Sequence, residues 1–362
     1  MSCKEFREEN GSCRYYPKTV FDWNIVAAVL HLTQGLIQLV FLISNFPDGD
    51  SPAFEFSHTA ATWETTLVNE TNSTCFDDKT CKTFQPRILA YDDRIWTISN
   101  QNIPYTNLNL GWSIIGFLLL SAFFQGLAAC QKIVIDVGCS SKPCGVELCC
   151  KVFDYEGEVK QGRNCLRFIE YSISASLMLA VIAGQVYITD FGTIWLICVT
   201  CAITQILGLL SEFFVSKLLK SEYKALGEQP QGLNLKLGPW CCKKGQSNDE
   251  RSNCELAILT HVAAWVAYGS AYGVILHQYY ASNDCSPGDN KAPEFVTAIV
   301  WSQFALFSSF GLINFAQLVF DQSCCWSLPR NSEGVYILLS LGAKTLLCWL
   351  LFANVILEAV RD

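Results

Sequence analysis

Residues 336–357, YILLSLGAKTLLCWLLFANVIL, form an apolar run of twenty-two positions with one charge, Lys344, near its middle. About 20 predominantly apolar residues suffice for a helix to cross the ~30 Å hydrocarbon core of a bilayer. A lysine at that depth costs at least about 2.5 kcal/mol unless it is paired or chemically altered, which marks it as a functional candidate. Snorkelling to the interface is the plain alternative, but it suits helix ends. Lys344 lies eight residues from the inner edge of its run, roughly 12 Å at 1.5 Å per residue. A desolvated amine there can condense with a carbonyl compound to a Schiff base.

Six further runs of similar length precede it. The seven expected spans are Asp22–Asn45, Leu108–Asp136, Cys165–Ile188, Gly192–Lys217, Cys254–Tyr280, Phe295–Phe320 and Gly334–Leu357. Composition agrees: apolar residues make up 51% of the 362 and charged residues only 16%, against about 25% charged in soluble chains. A net charge of −8 excludes a nucleic-acid partner, which requires a basic surface. The fold class expected is therefore an all-α membrane protein of seven transmembrane helices spanning 22–358, with membrane lipid as its surroundings. Residues 1–21 form a charged leader without a signal-peptide pattern, and 359–362 form a short tail.

The basic residues set the orientation. With the N-terminus inside, eighteen of the twenty-five Lys and Arg fall in the leader, the 137–164 and 218–253 loops with their flanks, and at Arg330. Six fall outside, and Lys344 is in the membrane. The positive-inside rule then places the N-terminus in the cytoplasm and the C-terminus outside. The protein is expected in the plasma membrane or an internal membrane.

A buried cation calls for a buried anion. Glu170, in NCLRFIEYSISASLMLAVIAG of span 3, is the one carboxylate read as lying well inside another span. Side chains on a helix lean toward its N-terminus, so Lys344 leans toward Glu170. The alternative for Glu170 is a pair with Arg167 at i−3. Glu212, at the inner end of span 4, reads as an interfacial charge.

Seven spans with a mid-span-7 Lys and a span-3 carboxylate resemble the retinal-binding microbial-type rhodopsins. The inverted topology, the long first outer loop and the motif Arg167-x-x-Glu170-Tyr-Ser-x-Ser174-x-Ser-x-Met resemble the heliorhodopsins among them, as does SLGAK in span 7. The resemblance implies a light-sensing photoreceptor rather than an enzyme, with all-trans-retinal on Lys344 as a protonated Schiff base and Glu170 as counterion. It places Arg167 on the cytoplasmic side of that counterion, with Ser174 and Ser340 beside the Schiff base. It also implies a homodimer packed through the first outer loop. Ser340 stands where ion-pumping relatives usually carry Asp, and Val181 stands where they often carry a proton-donating carboxylate. Ala343 departs from the Ser frequent in heliorhodopsins. Light-driven pumping is therefore not expected; a light-gated proton or cation channel is the alternative.

His31 and Gln125 are candidates to line a hydrated cavity around Glu170, or else they tie helices together by hydrogen bonds, as do His261 and the Gln residues of spans 1 and 4. Trp265, Phe307 and Phe310 either flank the polyene or pack the core. The outer loop, residues 46–107, is too long for a mere connection. The alternation in TFQPRILAYDDRIWTI suggests a β-hairpin there. It also holds the sequons at Asn69 and Asn72 and the disulfide candidates Cys75 and Cys81. Most of the nineteen Cys are cytoplasmic, where thiols stay reduced. Cys149–Cys150, Cys241–Cys242 and Cys324–Cys325 suit palmitoylation. Cys139, Cys144, Cys149 and Cys150 have poor zinc spacing, so no metal site is expected. No H-E-x-x-H, G-x-S-x-G or Walker A pattern is present.

Overall fold

A computed structural model describes residues 16–47, 52–67, 90–91, 94–138, 155–160, 163–226, 248–285, 292–319 and 332–356. Its seven long helices are α1 (Tyr16–Asn45), α2 (Leu110–Gly138), α3 (Cys165–Gln185), α4 (Phe191–Leu226), α5 (Asn248–Cys285), α6 (Glu294–Val319) and α7 (Ser332–Leu351). A π-helical turn, Phe352–Ile356, extends α7. Each of the seven is long and apolar enough to cross a membrane. Consecutive helices pack side by side, α7 closes the ring against α1, and α3 touches α6 across it.

The helices overrun the apolar windows that reveal them. α1 begins six residues before Asp22, and α4 continues to Leu226, well past Lys217. A helix needs apolar residues only where lipid surrounds it, so its ends continue through polar sequence. The loop taken as 137–164 contains a one-turn helix at Tyr155–Lys160. Side-chain caps start several of the spans. Asn109 Oδ1 accepts the N–H of Trp112 at 3.1 Å ahead of α2, and Asn164 Oδ1 accepts that of Arg167 at 3.0 Å ahead of α3. Asp190 Oδ2 accepts that of Thr193 at 2.7 Å ahead of α4. Each satisfies a donor that has no partner within its helix.

Between α1 and α2 lies an antiparallel hairpin, but its strands differ from those the sequence suggested. β1 (Ala53–Leu67) pairs with β3 (Arg94–Asn109), from Ala53↔Asn109 to Leu67↔Arg94. The two-residue β2 (Ala90–Tyr91) adds to the far edge of β3. Only Ala90, Tyr91 and residues 94–98 of the expected alternating stretch are strand among the described residues. The first strand, AFEFSHTAATWETTL, went unread because its polar and apolar residues stop alternating after Ser57. The ladder shifts register between Phe56 and Ser57. There Ser57 N donates to Thr189 O at 2.9 Å, tying the hairpin's base to the α3–α4 turn. Phe56 is buried, and the Phe54 ring lies on Gly184, where a Cβ would fall 2.5 Å from the ring. Asn69, Asn72, Cys75 and Cys81 lie outside the described residues.

The main apolar core occupies the hairpin side of the bundle. It contains Phe56, Ile114, Leu118, Met178, Ile182, Tyr272, Ile299, Leu347 and Leu351. Many large apolar side chains face outward instead, among them Val40, Trp195, Leu196 and Leu259. Such a surface suits lipid rather than water.

Candidate functional site

Lys344 is 3% exposed and Glu170 4%. Lys344 Nζ donates to Glu170 Oε1 at 2.6 Å and to Ser340 Oγ, one turn back, at 3.0 Å. It also sits 5.2 Å from the centroid of the Tyr171 ring. The alternative pairing of Glu170 with Arg167 does not occur. Arg167 instead reaches Glu333 through Nη1 and Glu212 through Nη2.

That second cluster was not read from the sequence. Glu212 is a buried partner of Arg167 rather than an interfacial charge, because α3, α4 and α7 converge at its depth. Glu333 lies in the first turn of α7, where a helix favours an acid. Asn164 joins both carboxylates: its Nδ2 donates to Glu333 Oε2 at 2.9 Å and its backbone N–H to Glu212 Oε2 at 3.1 Å. The Arg167 guanidinium stacks over the Tyr336 ring at 3.9 Å. From the short helix, the Tyr155 hydroxyl accepts from Asn24 Nδ2 at 3.1 Å. Burial first, and then the charge of Glu333, raise that hydroxyl above the ordinary phenol range, so it stays protonated.

Two cavities flank the Lys344–Glu170 pair, one reached by each partner. The larger, about 110 Å³, is lined by residues of α3 to α7, including Lys344, Ser340, Ser174, Met178, Trp265, Phe307 and Phe310. On the same measure one water needs ~10–15 Å³. The smaller, about 20 Å³, is lined by Glu170, Gln125, Asn164, Arg167, Tyr155 and Glu333. It is large enough for about one water. Arg167, Tyr171 and Tyr336 line both cavities.

The sequence candidates therefore divide. Lys344, Ser174, Ser340, Arg167, Trp265, Phe307 and Phe310 all reach the larger cavity, and Gln125 joins Glu170 at the smaller. His31 lines neither; it is fully buried, with no hydrogen-bond partner on either ring nitrogen. His261, read as a helix tie, lines the larger cavity and bonds Trp265 Nε1 and Asn314 Oδ1. Gly311 was also missed. A Cβ there would fall 2.6 Å from Trp265 Cζ2, so the indole can lie against the backbone of α6.

A family model described as heliorhodopsin matches residues 146–242 and 243–356, more than half of the chain. The chain belongs to the heliorhodopsin family. It is accordingly a retinal-binding, light-sensitive membrane protein rather than an enzyme. No curated protein matches it. The site of this heliorhodopsin fits that chromophore: one buried amine opens into a mostly apolar, aromatic-walled cavity, with a carboxylate on the amine's other side. Ser174 Oγ, which lines the same cavity without a hydrogen-bond partner of its own, is an unused polar contact.

Proposed function

We propose that this heliorhodopsin is a light sensor in which all-trans-retinal is bound through Lys344, with Glu170 as counterion. The observation that carries the reading is the Lys344 amine, buried at the wall of the large cavity and held 2.6 Å from a buried carboxylate. Bound retinal supplies visible absorption and a double bond that light isomerises. The chain's own residues do the rest. Glu170 balances the positive charge on the lysine nitrogen, and Ser340 orients that nitrogen. Ser174 offers a second hydroxyl nearby, while Trp265, Phe307 and Phe310 exclude water and confine a polyene.

Relaying a conformational signal suits these residues better than pumping does. A pump needs an ordered proton relay across the membrane, and Ser340 and Val181 stand where pumping relatives carry carboxylates. A photocurrent under voltage clamp would favour the light-gated channel instead. The N-terminus is cytoplasmic, by the distribution of Lys and Arg, and two copies associate through the outer loop. Accessibility tags at both ends check the orientation; a glycan on Asn10 would contradict it.

The deciding test is absorption. Membranes holding the chain, supplied with all-trans-retinal, gain a visible band, and Lys344→Ala abolishes it. A Lys344→Ala chain that still colours would refute the reading, because no other lysine or arginine lies near the middle of a span.

A further inference from the structure

The α5–α6 wall of the large cavity contains a hydrogen-bonded row in which the proposed function gives a task to Trp265 but none to His261 or Asn314. Trp265 Nε1 donates to His261 Nε2 at 2.9 Å, and His261 Nδ1 lies 2.9 Å from Asn314 Oδ1. An indole N–H can only donate, so His261 Nε2 must accept and carries no proton. The single proton of the neutral ring is then on Nδ1, where it donates to Asn314 Oδ1. A doubly protonated ring would offer Trp265 no acceptor. Phe315 stacks on the imidazole, 5.6 Å between centroids, and limits its tilt. The benzo edge of Trp265 rests on Gly311. The indole is thus held at two points, by a hydrogen bond at its nitrogen and by contact with bare backbone at its six-membered ring.

We propose that His261, kept by Asn314 as the neutral tautomer protonated on Nδ1, is a positioning residue that fixes Trp265 as a wall of the chromophore cavity. The assignment rests on reading that cavity as the retinal site. Without the His261 acceptor, the indole N–H would be an unsatisfied donor in an apolar wall, a costly state that a side chain escapes by rotating. A rotated indole leaves Gly311 uncovered and changes the shape and dipole that face the polyene. Asn314 acts one bond further out: without its acceptor, the Nδ1 proton is left unpaired and the preference for Nδ1 over Nε2 rests on the Trp265 bond alone.

The test compares three variants in nanodiscs. His261→Phe removes the acceptor, His261→Gln keeps one, and Asn314→Leu releases the tautomer while leaving His261 and Trp265 in place. In the retinal-free protein, the Trp265 indole resonance in a 15N–1H spectrum, assigned by its loss in Trp265→Phe, reports the hydrogen bond directly. In the retinal-loaded protein, the absorption maximum and the rate of dark bleaching by hydroxylamine report the wall. We expect His261→Phe and Asn314→Leu to move the indole proton upfield, shift the maximum and accelerate bleaching several-fold. His261→Gln should stay near wild type in all three. An indole resonance unmoved in both His261→Phe and Asn314→Leu overturns the hydrogen-bonded tautomer. A moved resonance with unchanged absorption and bleaching overturns the positioning role and leaves only a helix tie. A His261→Gln as impaired as His261→Phe also overturns it. If the wild type forms no pigment, the proposed function fails first, and the role toward the chromophore fails with it; the indole resonance still judges the tautomer separately.

Discussion

The two halves of the bundle are held together by different physics. On the hairpin side, Ile114, Leu118, Met178, Ile182, Ile299, Leu347 and Leu351 fill the interior, and Phe56 seals it. On the opposite side, Asn24, Asn164, Arg167, Glu212 and Glu333 are buried within a network of ion pairs and hydrogen bonds. Apolar contacts tolerate small shifts at small cost. A buried charged network does not, because each member removed leaves another unpaired in a poorly solvating medium. Lys344 and Glu170 lie at the seam, with the larger cavity on one side and the small polar one on the other. The Lys344 nitrogen thus has a shape-defining wall on one flank and a charge-sensitive cluster on the other.

Breaking the seam should have the largest effect. Glu170→Gln takes the anion from the Lys344 nitrogen, and an opposite charge at ~4–6 Å is what favours the protonated form. In the retinal-loaded variant at neutral pH, the visible band should largely give way to a near-ultraviolet one. Because a small anion can replace the carboxylate, the spectrum is recorded with and without halide. A variant that titrates like wild type in both conditions would show that Lys344 depends on another partner.

Within the polar half, Arg167→Met leaves Glu212 and Glu333 buried without their cation. Breaking such a pair typically costs about 3–5 kcal/mol, seen as a lower melting temperature of the purified protein. Replacing all three, as Arg167→Met with Glu212→Leu and Glu333→Leu, should restore most of that loss. If the triple variant melts as low as the single one, the damage lies in packing rather than in unpaired charge.

The smallest effect belongs to the apolar half. Gly184→Ala puts a methyl group 2.5 Å from the Phe54 ring, an overpacking worth about 1–3 kcal/mol. Adding Phe54→Ala should relieve part of it, since the clash is with that ring. Both variants should keep the wild-type absorption maximum, which would separate hairpin docking from the chromophore's surroundings.

What could be read from the sequence divides along the same seam. The seven spans were legible because a bilayer demands long apolar runs, and Lys344 and Glu170 because each interrupts one. Glu212 and Glu333 were not, because each stands near the end of its apolar run, where a carboxylate ordinarily faces water. Only the convergence of α3, α4 and α7 turns them inward. Trp265 and His261 carried a faint signal, a donor and an acceptor at i, i+4 on one helix face. Asn314, on another helix, carried none. Strand β1 was hidden because only Phe54-Glu55-Phe56-Ser57 alternates in its sequence and the remaining HTAATWETTL does not, whereas its anchors, Ser57 to Thr189 and Phe54 to Gly184, are tertiary contacts.

Helix α7 supplies both Glu333 and Lys344, one to the Arg167 cluster and one to the pair with Glu170. Eleven residues separate them, which at 3.6 residues per turn is within about 20° of three whole revolutions. The two side chains therefore project along the same stripe of α7, roughly 16 Å apart along its axis. In mechanical terms the helix is a shaft with two cams set at nearly one angle. A rigid turn of the shaft large enough to lift Lys344 off Glu170 would lift Glu333 off Arg167 by the same angle, so the two contacts on this helix share one degree of freedom.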